Sequence, residues 1–329
     1  MRLAFVGDVM LGRLVNRCLK RVPAEYPWGD TLPLLRTADA VFINLECVIA
    51  DRGKPWPRKV FTFRTDSRNV EVLRTAHVTV ASLANNHSLD YGAEALLDCL
   101  EILQRHGIWA VGAGATLGAA RLPAVLAVCG ARIAVIAVTD NEPEWQAGEE
   151  TPGVFFVPFA DKNPRLHDLF ALVEDVRKAS DLVIVSAHWG PNWGRTPLPE
   201  HVEAAHRLID AGADVVFGHS PHILRGIEIY RGRPILYSCG NFVDDYAVDE
   251  DERNDESGIF SIECDQQGVR RVLFTPTVIT RFQARLARGA DWTRILGQMR
   301  TVCAGLGTDT REASEGLEIS VSPVVMAER

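Results

Sequence analysis

His219 and His222 stand three positions apart in the stretch DVVFGHSPHILRG, directly after an apolar run and a glycine. The same habit recurs along the chain: FVGD ends on Asp8, FINLE on Glu46, ASLANNH on Asn85, Asn86 and His87, and VSAHWG carries His188. Carboxylate, amide and imidazole form the donor set of borderline divalent ions such as manganese, iron or zinc. No thiolate joins them, which argues against a structural zinc site. Each residue alone has an ordinary use. A strand-end aspartate or asparagine commonly caps a helix or shapes a turn, and a single histidine is usually a hydrogen-bonded structural group. Their joint placement points to a metal site, because capping needs no histidine and structural histidines need not finish strands. Two imidazoles with two residues between them can diverge toward adjacent ions, and Pro221 stiffens that turn while removing one backbone donor.

The elements that must position these groups are short apolar runs rich in β-branched residues: RLAFV, AVFIN, VTVASL, AVLAV, RIAVIAV, DLVIVSA and DVVFG. Between several of them lie stretches of helical periodicity, at Ala93 to His106, Arg165 to Ala179 and Pro199 to Ala211. Such alternation predicts an α/β protein with strands buried on both faces. In open α/β sheets, ligands bind outside the carboxyl ends of the strands, so residues far apart in sequence can converge there. From about Gly226 the pattern changes to two antiparallel hairpins, turning at RGR and at DQQG, which predicts a second, antiparallel element of sheet. The acidic stretch DDYAVDEDERNDES between them reads as a solvated loop whose carboxylates carry no chemistry. The tail from Trp292 predicts an amphipathic helix and a last strand around LEISV. With no internal repeat or linker, the expectation is one domain over 1–329, with 281–329 a helix and strand packed on it.

A net charge of −8, and no lysine or arginine cluster long enough to track a phosphate backbone, argue against a nucleic-acid partner. No stretch approaches 18 consecutive apolar residues, so no membrane segment is expected, and the opening residues are too briefly apolar for a leader. The seven cysteines are scattered and odd in number, fitting neither a disulfide framework nor a zinc site, and a cytoplasmic location follows as the expectation. His106 precedes Gly107 at a helix end, where an imidazole suits the carbonyl-rich terminus. His77, His167, His201 and His206 lie in or beside helices and receive no role. The run VGAGATLGAA matches neither dinucleotide nor P-loop patterns and reads as a tight strand-to-helix turn.

Taken in order, GDVMLGR, NLE, LANNHSLDYG, HWG, GHSPH and YSCGNF resemble the bacterial capsule-synthesis proteins of the CapA type, associated with poly-gamma-glutamate, within the calcineurin-like metallophosphoesterase superfamily. The resemblance implies a four-layer α-β-β-α sandwich with two divalent metal ions (manganese, iron or zinc) at the strand ends. It implies that Asp8 binds the first ion, that Glu46 bridges both, that Asn86, His188 and His219 complete the second, and that His222 returns to the first. His87 matches the histidine that assists the leaving group. The superfamily's usual histidine two residues past the first aspartate is Met10 here, a poor ligand for such ions, so the first ion is expected to be held more weakly.

Two ions ~3.5–4 Å apart can acidify a bridging water and clamp the oxygens of an in-line displacement at phosphorus. Arg13, just past the first ligand turn, is a candidate catalytic and substrate-binding fork for phosphate, with Arg64 and Asn241 as further substrate contacts. The leading expectation is therefore a metal-dependent phosphoesterase. The same centre could instead cleave a gamma-glutamyl amide, or serve without catalysis in a capsule-assembly accessory protein. A small-molecule or polymer substrate fits these readings, and the oligomeric state is open.

Overall fold

The computed structural model describes residues 1–159, 163–265 and 268–321. Two sheets face each other. The larger runs in the order Arg311–Ala313, Gly316–Ser320, Gly268–Thr280, Glu256–Asp265, Arg2–Val9, Ala40–Leu45, Val78–Ser82 and Trp109–Val111. The smaller runs Leu224–Tyr230, Arg233–Cys239, Val215–His219, Leu182–His188, Ala131–Thr139 and Ala124–Val128. Between them, Phe5, Phe42 and Val80 of the first sheet meet Val135, Ile184 and Phe217 of the second in one buried cluster. The outer face of the first sheet is covered through Leu35, Leu73, Leu96 and Leu103, and that of the second through Leu169, Phe170, Ala204 and Leu208. These are the four layers implied by the resemblance. Because strands such as Leu182–His188 are buried on both faces, their sequences read as continuous apolar runs.

The helices lie close to where periodicity puts them, at Gly92–Arg105, Pro164–Arg177 and Pro199–Asp210. Proline opens the last two, and Asn163 caps the second by accepting from Arg165 N at 3.0 Å. His106 ends the first helix, its ring 2.8 Å from Ile102 O. The glycine-rich run is a turn into a short helix capped by Thr116. The first predicted hairpin turns at Arg231 and Gly232, both with positive φ, and the second pairs Asp265 with Gly268 around two residues outside those described. Neither forms a sheet of its own: Arg233–Cys239 pairs parallel with Val215–His219, and Glu256–Asp265 pairs antiparallel with Arg2–Val9. Each hairpin satisfies an edge that a parallel sheet would otherwise leave open. The Ala290–Gly305 helix buries Ile295, Leu296 and Met299 against the inter-sheet core, and Gly316–Ser320 supplies the late strand.

One contact joins the sheets at the end where the site forms. The chain leaves the second sheet at Cys239 and joins the first at Asn241, whose partner across the ladder is Asp8. A Cβ built on Gly7 would lie 1.8 Å from Gly240 O, so only glycine permits this approach. Gly7→Ala is expected to destabilise the fold by about 3 kcal/mol or more, read as a fall in the urea midpoint; an unchanged midpoint would refute the close approach.

Candidate metal centre

Register brings the polar residues together. In the first sheet Asp8 lies opposite Asn44, and Asn44 opposite Ser82; in the second, His188 lies opposite His219. The two clusters meet where the sheets abut. Ligand atoms of Asp8, His188 and His219 all fall within 4.8 Å of one another, as do those of Asp8, Glu46 and His222. Asp8 is common to both sets, a place the resemblance gives to Glu46. His222 Nδ1 lies 3.4 Å from Asp8 Oδ2 and 4.0 Å from Glu46 Oε2. The turn that carries the two histidines has Ser220 at φ +101°, a strained conformation for a serine and one that functional turns tolerate.

The supporting bonds fix orientation and leave several ligand atoms without a partner. Asn44 Nδ2 donates to Asp8 Oδ1 at 2.7 Å, and Asn85 Nδ2 donates to Asn44 Oδ1 at 3.0 Å and to Leu45 O at 2.9 Å. Ser186 Oγ engages His219 Nε2 at 2.7 Å, and Asn241 Oδ1 sits 2.9 Å from His222 Nδ1. His188 and His219 bring their Nδ1 atoms to 2.9 Å. Asp8 Oδ2, both oxygens of Glu46, Asn86 Oδ1 and His188 Nε2 are buried with no hydrogen-bond partner. Buried polar atoms are almost always paired, so this many unpaired acceptors in one place is a cost that bound cations would remove. The donor set therefore fits divalent metal.

Electrostatics agree. Burial pushes the Glu46 carboxyl well above its ordinary range, and the Asp8 carboxylate adds to the rise. Burial holds His188 well below the usual imidazole value and takes His219 down to about 3, so both stay neutral, the form that binds metal. Met10 does not replace the missing histidine: it is buried and its Sδ accepts from Gly12 N at 3.0 Å.

Beside the cluster, His87 Nδ1 lies 2.6 Å from Asp90 Oδ2 while its Nε2 lies 4.0 Å from Glu46 Oε1. Burial lowers His87 to about 4 even though Asp90 opposes the shift, leaving a neutral ring with Nδ1–H directed at the carboxylate. Lys59 Nζ faces Asp90 Oδ1 at 3.0 Å and Glu142 Oε1 at 3.3 Å, and also donates to Asn86 O. These residues border a cavity of 450 Å³ lined in part by Arg13, Lys59, Asn86, His87, His222 and Tyr246.

Of the predicted site residues, Asp8, Glu46, His188, His219 and His222 converge, and Asn86 and His87 border the same space. Asn85 and Asn86 do not cap the following helix, whose N-cap is Tyr91. Arg13, at φ +49°, reaches the cavity with Nε 3.3 Å from Asp245 Oδ2. Asn241 is fully buried behind His222 and donates Nδ2 to Asn254 O, so it supports a ligand and does not face the cavity. Arg64 is absent from the cavity lining; it donates to Arg52 O and Gly53 O, with its guanidinium 4.3 Å from the Tyr91 ring. The loop read as solvated is partly interior: Asp244 is buried, burial takes its carboxyl up to about 7, and Tyr246 lies 5.2 Å from the His222 ring. An aspartate directly following the apolar NFV was the available signal. Asn44 had a signal too, near the end of the strand that Glu46 directly follows. Lys59 had none, because its partners come from distant loops.

This layered fold with a strand-end ligand cluster is the arrangement that the resemblance to the CapA-type capsule-synthesis proteins implies. The profile of the family described as "Bacterial capsule synthesis protein PGA_cap" matches residues 2–246, and the chain belongs to that family. A Mycobacterium tuberculosis protein described as "Probable polyglutamine synthesis accessory protein" is 42% identical over 245 residues, covering 71% of this chain and 64% of that one. The chain thus spans less than two thirds of that relative's length. "PGA biosynthesis protein CapA" of Bacillus subtilis is 31% identical over 277 residues, covering 83% of this chain and 70% of the relative. Among solved structures, a 5'-nucleotidase precursor from Thermus thermophilus aligns with a TM-score of 0.44 at 15% identity, over 87% of this chain and 54% of the other. Among the described residues no helix is long and apolar enough to cross a membrane.

Proposed function

We propose that the chain is a metal-dependent hydrolase acting on phosphate esters. The observation that carries this reading is the set of buried, unpartnered ligand atoms at converging strand ends. In this reading Asp8, Glu46 and His222 would hold one divalent ion, and Asn86, His188 and His219, with Asp8 also in reach, would hold the other, with manganese, iron or zinc as the candidates. Ions bound there supply Lewis acidity, acidifying water and drawing charge from phosphate oxygens. The chain's own groups do the rest. Asn44 and Asn85 keep Asp8 aimed, Ser186 fixes the His219 ring, and Asn241 orients His222. Arg13 offers its outer N–H groups to a phosphate oxygen while its Nε stays on Asp245. His87, its Nδ1–H held by Asp90, keeps Nε2 as an acceptor that takes a proton from water and passes it to the departing oxygen. The seven cysteines are free thiols, which supports a reducing cytoplasm as its location.

The relatives' names favour a second reading, a non-catalytic role in polymer assembly, and hydrolysis of a gamma-glutamyl amide is a third that the same centre would allow. A panel of phosphate esters and short gamma-glutamyl peptides, each incubated with manganese-loaded protein, separates them. Release of phosphate without new amines is expected; new amines alone would replace this reading with the amide one, and neither product would leave the assembly role. His87→Ala is expected to lower kcat about 100-fold at unchanged metal content, and Asp90→Asn about 10-fold or more. Loss of metal in His87→Ala would instead make His87 a ligand.

A further inference from the structure

The cavity over the ligand cluster has an outer wall unlike its floor. Among the described residues, most large apolar side chains are buried, yet Val60 is 85% exposed, Phe61 60% and Trp193 45%, and all three line this cavity. They continue an aromatic wall that starts at the ligands. Phe63 stacks on His87 at 3.9 Å, Tyr246 lies 5.7 Å from Phe63, and Trp193 stands edge-on to His222 at 6.4 Å. Arg13 bridges inside to outside, its guanidinium 5.6 Å from the Phe63 ring and 5.5 Å from that of Phe61.

The wall is also held in place. Arg225, only 1% exposed, donates to Gly194 O at 2.6 Å and to Trp193 O at 2.8 Å, and His222 N donates to Asn192 O at 3.1 Å. On the other side Phe63 N donates to Asp90 Oδ2 at 2.6 Å. Exposed aromatics on loops pinned to a site are arranged for contact, whereas scattered surface ones are not.

Charge narrows the occupant. The two cationic side chains of the lining, Arg13 and Lys59, are each already paired, with Asp245 and with Asp90 and Glu142. Beyond Ala247, which also lines the cavity, the chain continues as exposed Asp249, Glu250 and Asp251. A polyanionic chain gains little from such a mouth, while a monoester carries a single phosphate to the ligand cluster and leaves only its esterified group at the mouth.

We propose that the mouth formed by Val60, Phe61 and Trp193 selects a phosphate ester whose esterified group is apolar, aliphatic or aromatic. This rests on the phosphoesterase reading for the bond that is cleaved, and not for the binding preference itself. The test uses ethyl-, butyl- and hexylphosphonate, titrated calorimetrically into manganese-loaded protein, with tri-gamma-glutamate as competitor. Affinity is expected to rise at least tenfold from ethyl to hexyl, since each methylene buried multiplies binding a few-fold. In Phe61→Ala and Trp193→Ala, singly and together, that rise is expected to shrink to within about threefold. Equal affinity across the series, unchanged length dependence in the double variant, or stronger binding of tri-gamma-glutamate than of hexylphosphonate would each overturn the proposal. Length-dependent binding with no turnover of the matching esters would support the mouth and sink hydrolysis, so the two failures are distinguishable.

Discussion

Asp8→Asn is expected to strip the protein of most of its divalent metal and to lower ester turnover at least 100-fold, with the fold retained. Asp8 is the one carboxylate that belongs to both ligand groups, and its Oδ2 accepts no hydrogen bond. Asparagine keeps the size of the side chain and an oxygen for the Asn44 bond, yet removes the negative charge that a cation needs. Elemental analysis of protein purified without chelator reads the outcome, alongside far-ultraviolet circular dichroism for folding. His219→Ala and His222→Ala are expected to lose about one ion each. Full metal content in Asp8→Asn would mean that the ions sit elsewhere.

Glu46→Gln is expected to act in opposite directions with and without metal. In the metal-free protein both Glu46 oxygens are buried without partners, and burial raises the folded-state pKa. A carboxyl whose pKa is raised by folding favours the native state below its unfolded value, near 4.3, and that contribution is lost as the pH climbs toward the folded value. At pH 8 the wild type therefore bears the cost of burying a carboxyl whose pKa folding has raised. Glutamine removes it, and the metal-free variant should melt higher by about 3 °C, corresponding to about 2 kcal/mol for a chain of this length. The gain should fade toward pH 4.5. Added manganese should reverse the order, because only the wild type gains binding energy. A metal-free variant that melts lower at pH 8, or takes up manganese as well as the wild type, contradicts the assignment.

Much of this was legible because parallel strands advertise themselves. A run buried on both faces must be apolar throughout, so the polar residue that ends it stands out, as Asp8, His188 and His219 do. What sequence could not supply was the pairing between runs: nothing in DLVIVSAH says that His188 lies opposite His219, yet that register creates half of the centre. Arg64 illustrates the opposite failure. It sits in a promising stretch, FTFRTD, but its side chain is satisfied by nearby carbonyls and the Tyr91 ring. The acidic loop misled for a third reason. Composition averages over a segment, and one buried aspartate at its start, Asp244, disappears among exposed carboxylates.

Diffraction from crystals grown with manganese, recorded at a wavelength where the metal scatters anomalously, addresses the central assignment directly. Two peaks roughly 3.5–4 Å apart are predicted, one against Asp8, Glu46 and His222 and the other against His188 and His219. A map with no peak within coordination distance of Asp8, while manganese appears at surface carboxylates, would contradict it.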